Sequence, residues 1–78
     1  MKNIEDLRKQ IDVLDDHIVS LLAKRMKVVK DVGKFKKENN LPPLDNKRWK
    51  EIIKTKKGFI KKIWEIIHDE ALKIEKNI

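Results

Sequence analysis

Cysteine and tyrosine are absent from this chain, and glycine, proline, tryptophan and phenylalanine occur only twice each. Without cysteine there can be no disulfide, no thiolate nucleophile and no cysteine zinc site, a pattern that fits a reducing compartment. Two glycines cannot build the glycine-rich loops that cradle phosphates. A Ser-His-Asp order and a metal-spaced cluster are also missing. His17 and His68 stand alone, which suits surface or helix-packing roles. No run of apolar residues approaches the length needed to cross a bilayer, and Met1-Lys2-Asn3 lacks the apolar stretch of a signal peptide. A cytoplasmic protein with no membrane attachment is expected. No segment alternates as a strand would.

Charge is plentiful. Lys and Arg number 20 against 13 Asp and Glu, a net +7, and charged residues make up 42% of 78 positions. The balance suits an anionic partner: nucleic acid, an acidic protein or a small polyanion. Only Arg8, Arg25 and Arg48 are arginines, so these are the informative cations. No recognition-helix pattern stands out, which argues against a nucleic-acid partner.

The apolar residues fall in helical register. Ile4, Leu7, Ile11, Leu14, Ile18 and Leu21 advance by steps of three and four, and Val28, Val32 and Phe35 continue the series. This predicts one long helix from about Ile4 to Asn39, with Asn3 as its N-cap, interrupted by nothing but Gly33. A glycine there lets another backbone or a ligand approach closely. Asn39-Asn40-Leu41-Pro42-Pro43 breaks the helix. Asp45 is expected to cap a short second helix, with Leu44 and Trp49 as a hydrophobic staple and Trp49, Ile52 and Ile53 facing inward. That helix is expected to end near Lys57, with Gly58 at its C′ position. A third helix is predicted from Phe59 to Lys76, with Ile60, Ile63, Trp64, Ile67, Ala71, Ile74 and Ile78 on its apolar stripe. The expected fold is all-α, one domain over residues 1–78, with long, short and medium helices. A helix of about 36 residues is about 54 Å long, more than the two shorter helices can cover. Two chains are therefore expected to pair their long helices about a two-fold axis.

Arg25 occupies a seam position of the long helix. A guanidinium stays protonated, so there it needs an anion, a neighbouring acid or a route to water. Lys36 lies eleven positions on, returning to within about 20° on the same face and about 16 Å along. Arg8 lies about 25 Å from Arg25 along the axis, too far to share a small pocket within one chain. In an antiparallel pair the partner's Arg8 would approach instead. Arg48 can fold back over the long helix. Such a cluster of cations on rigid helices suits a small dianion, with chemistry drawn from electrostatics and enforced conformation.

The chain resembles the all-helical (AroQ-class) chorismate mutases over nearly its whole length. The resemblance rests on Leu7-Arg8-Lys9-Gln10-Ile11-Asp12, Leu21-Leu22-Ala23-Lys24-Arg25, Val32-Gly33-Lys34-Phe35-Lys36, Pro43-Leu44-Asp45-Asn46-Lys47-Arg48 and Ile67-His68-Asp69-Glu70-Ala71-Leu72-Lys73-Ile74-Glu75. Arg48-Trp49 with Ile67-His68 is similar to mutase domains that work with the first synthase of the shikimate pathway. The resemblance implies an intertwined homodimer that rearranges chorismate to prephenate without a cofactor or metal. It implies that Arg25 and the partner's Arg8 hold the carboxylates, with Arg48 assisting. Lys36 would serve a carboxylate and the ether oxygen, and Glu75 would hydrogen-bond that oxygen. An ionised carboxylate would repel charge developing there, so Glu75 is expected to act as a neutral acid, with an acidic optimum. The alternative is a solvated Glu75 near the chain's end. Asp45 would contact the ring hydroxyl, or cap its helix, or both; Val29, Val32 and Leu72 would line the apolar wall. Three departures stand out: Trp49 in place of an acidic residue, Ala71 in place of serine, and a short link from Lys54 to Gly58. Other readings compatible with the same residues are an isochorismate-pyruvate lyase and a weakly active domain that regulates a partner synthase.

Overall fold

A computed structural model describes residues 3–78; Met1 and Lys2, read above for a leader, lie outside the described residues. Three helices follow one another, α1 (Ile4–Glu38), α2 (Asn46–Lys54) and α3 (Phe59–Lys76), and the described residues contain no strand. None of these helices is long and apolar enough to cross a membrane.

Local chemistry sets the boundaries of α1. The Asn3 side chain accepts the Asp6 amide at 3.0 Å, and Glu5 and Asp6 lie in the first turn where the helix dipole favours negative charge. At the other end Asn40 takes a left-handed conformation, φ 56°. The Leu41 amide then donates to the Lys36 carbonyl (2.8 Å) and the Asn40 amide to that of Lys37 (3.3 Å). These two bonds form a Schellman closure, in which Asn takes the place usually held by glycine. The helix therefore ends in a defined cap before the prolines are reached.

The expected cap of α2 is present: the Asp45 carboxylate accepts the Arg48 amide at 3.0 Å. Leu44 is left exposed, while Trp49 spends its ring on His68 of α3. The sequence reading of Gly58 needs correction. α2 stops at Lys54, and the Thr55 hydroxyl donates to the Ile52 carbonyl at 2.6 Å. Gly58 instead precedes α3 as its N-cap, at φ 61° and ψ −140°, a region that side chains disfavour.

α3 packs along the second half of α1, and α2 approaches α3 without its backbone approaching α1. Ile67 and Ala71 of α3 are buried, and Gly33 of α1 is buried with them. A Cβ at Gly33 would run into the Ile78 side chain and lie 3.1 Å from the Glu75 Cα. The close approach expected at this glycine is thus an approach of α3. Gly33→Val should force the helices apart and cost about 1–3 kcal/mol by overpacking, measurable by chemical denaturation. Undiminished stability would show that α3 can seat elsewhere.

Along the seam, Ile4, Leu7, Ile11, Leu14, Ile18 and Leu21 are 44–63% exposed in the single chain, and Val28, Val32 and Phe35 are exposed as well. The face of α1 that α3 covers is a neighbouring one, marked by Leu22, Met26, Val29 and Gly33. α1 therefore has two apolar faces, one of them uncovered. The molecule measures 58 × 23 × 14 Å, its length set by α1.

Candidate active site

Where α2 stands off from α1, a cleft of about 440 Å³ opens between them, floored by α3. From α1 it receives Arg25, Val28, Val29, Val32 and Lys36; from α2 and the loop before it, Pro43, Asp45, Arg48, Trp49 and Ile52; from α3, His68, Ala71 and Glu75. Arg25 lies at the border between the two apolar faces of α1, which explains a charge in an apolar register. It is half-buried, and its Nη1 is buried with no hydrogen-bond partner among the described residues. A guanidinium nitrogen in that condition is costly unless an anion reaches it.

Lys36 lies at the end of α1, its backbone carbonyl engaged in the Schellman closure. Its ammonium donates to the Pro43 carbonyl at 2.7 Å and lies 2.7 Å from Glu75 Oε1. Both side chains are mostly buried, at 19% and 10% exposure. The Lys36–Glu75 contact is a charge pair by distance without hydrogen-bond alignment, since Oε1 has no partner of suitable geometry. Glu75 is thus an inward group of the cleft, and the solvated alternative does not hold. Arg25, Lys36 and Arg48 face Asp45 and Glu75, three cations against two carboxylates. The surplus charge and the unpartnered guanidinium nitrogen make the cleft receptive to a small anion.

The residues named from sequence divide cleanly. Arg25, Lys36, Asp45, Arg48, Val32 and Glu75 meet in this one cleft. Leu72 is half-buried on α3 and does not line it. Arg8 is exposed near the far end of α1 and bonds Glu5 at 3.2 Å. His68, expected in a surface or helix-packing role, packs α3 on α2 by stacking on Trp49, with ring centroids 3.9 Å apart and planes within 15°, and beyond that expectation it lines the cleft. Its place on the α3 stripe, one residue after Ile67 and three before Ala71, was the available signal. No group of three His, Asp or Glu suited to holding a metal occurs among the described residues.

The family described as chorismate mutase type II matches residues 7–76. A bifunctional chorismate mutase/prephenate dehydratase of Aquifex aeolicus (strain VF5) is 40% identical over 53 residues, 68% of this chain and 15% of that protein. A chorismate mutase of Methanocaldococcus jannaschii is 35% identical over 52 residues, 67% of this chain and 52% of that one. The chain spans between 11% and 52% of the length of these and the other curated relatives it matches. A solved structure, a conserved hypothetical protein from Pyrococcus furiosus, superposes with a TM-score of 0.88 at 37% identity, covering 96% of this chain and 97% of that one.

Proposed function

The chain belongs to the chorismate mutase type II family, and from that premise we propose that it rearranges chorismate to prephenate as a homodimer. The observation that carries the reading is the buried, unpartnered Arg25 Nη1 in a cleft that also holds the Lys36–Glu75 pair. In the rearrangement the ether C–O bond breaks as a C–C bond forms within one molecule, so no proton, electron or water is exchanged. What a protein can supply is a folded substrate conformation and a counter-charge for the oxygen. Arg25 and Arg48 bind the carboxylates of chorismate, and Lys36 turns its ammonium toward the ether oxygen as negative charge gathers there. Val29 and Val32 enclose the ring, and Asp45 accepts from its hydroxyl while still capping α2.

The homodimer accounts for the apolar face of α1 left at 44–63% exposure over its first half. Arg8, on that half of the helix, reaches the partner's cleft and completes the carboxylate site. The substrate's two negative charges then balance the local surplus of cations. Direct measurement of chorismate loss and prephenate formation tests the activity, and failure of purified protein to produce prephenate would overturn it. The Aquifex aeolicus relative joins a mutase to a prephenate dehydratase, which supports a working association with a second enzyme of the pathway. Association with the first shikimate-pathway synthase rests on the Arg48-Trp49 and Ile67-His68 resemblance alone and is tested by whether added synthase raises the rate.

Glu75 lies beside Lys36, 2.7 Å from its ammonium, where the ether oxygen is bound. Glu75→Gln, whose amide can donate a hydrogen bond to that oxygen, should keep substantial activity, whereas Glu75→Ala should lower kcat at least about tenfold. Equal turnover in wild type and Glu75→Ala would remove Glu75 from the reaction.

A further inference from the structure

α2 carries Asp45 at its cap and Arg48 in its first turn, so the cleft is only as well formed as α2 is well placed. Yet α2 is nine residues long, has no buried residue, and its backbone approaches α3 alone. Two ring contacts reinforce its approach to α3, beside the half-buried Ile52 and Ile53. Near its start Trp49 lies flat on His68, 3.9 Å between centroids, closer than the 4.5–7 Å usual for aromatic pairs. Just past its end Lys56 sits 4.2 Å over the Trp64 ring, within the range of a cation–π contact. Arg48 directly precedes Trp49 in the chain, so the angle of the stack sets where its guanidinium enters the cleft. Resting on the function proposed above, we infer that the Trp49–His68 stack is a positioning pair. It holds α2 against α3 at the spacing that sets Arg48 opposite Arg25, and so fixes affinity for a dicarboxylate rather than the rate of its rearrangement.

The pair acts through flat contact, so the ring matters more than the imidazole nitrogens. His68→Ala should raise KM about tenfold while kcat stays within about twofold, the pattern of lost ground-state binding. His68→Phe, which keeps a ring, should restore KM. Amide hydrogen exchange supplies a readout that needs no substrate. In His68→Ala the amides of residues 46–54 should exchange at least about tenfold faster while those of Val28–Val32 in α1 stay protected, and His68→Phe should reverse this. Unchanged exchange in α2 would overturn the anchoring role. Faster exchange with an unmoved KM, or a loss confined to kcat, would overturn the positioning role. If wild-type protein turns over no chorismate, the mutase reading fails by itself, and the exchange result still decides whether the stack holds α2.

Discussion

Lys36→Ala is expected to lower kcat by about 10²–10³-fold, the loss typical of removing one donor aimed at developing charge, while KM changes far less. In the proposed reaction the ether oxygen gains charge only as its bond breaks, so an ammonium in the role proposed for Lys36 would bind the transition state more strongly than the substrate. The fold should survive. The Schellman closure of α1 uses the backbone carbonyl of Lys36, and what is lost is the side-chain bond to the Pro43 carbonyl and the charge contact with Glu75. Circular dichroism should therefore show near-normal helix. One confounding effect is built into the site: without its ammonium, Glu75 is left as a mostly buried carboxylate with no cation beside it. The Lys36→Ala, Glu75→Gln double variant separates the two causes. Turnover that returns in the double variant would assign the loss to the stray carboxylate and sink the role given to Lys36.

Mixing two inactive variants should regenerate active enzyme. Arg8→Ala and Arg25→Ala are each expected to bind the substrate too weakly for measurable turnover, since each leaves one carboxylate without its guanidinium. In a mixed dimer, however, the intact Arg25 of one chain meets the intact Arg8 of the other, and both defects fall in the second site. Equal mixing of chains that exchange freely yields about a quarter of the wild-type sites. Recovery has no explanation if each cleft is built from one chain. Failure to recover, with subunit exchange demonstrated independently, would rule out a cleft shared between chains.

Most of the fold could be read from the sequence because its signals are local. The caps at Asn3 and Asp45, the break after Asn39 and the stripe through Ile67 and Ala71 all depend on nearest neighbours or on one helical period. The same held for the grouping of Arg25 with Lys36, which follows from helix geometry alone. What was not legible depends on contact between elements. The second apolar face of α1, through Leu22, Met26, Val29 and Gly33, lies next to the seam and merges with it in any periodicity. Gly58 lies four residues beyond α2 and one before α3, and along the chain a glycine there suits the end of one helix as well as the start of the next. His68 could not be seen as a wall of the cleft, since nothing in its surroundings along the chain announces a stack on Trp49.

The uncovered face of α1 has one more consequence, in the currency of mass action. A newly released chain carries all of that greasy surface before it has met a second copy, and on the proposed assembly it owns no complete catalytic centre either. If the proposed dimer forms, dilution would withdraw stability and chemistry together, and the capacity of a cell to make prephenate would scale with pairs of chains rather than with their number. On that assembly, selection for tight association and selection for turnover would act on the same stretch of α1, so a change that merely solubilises the lone chain would also disarm it.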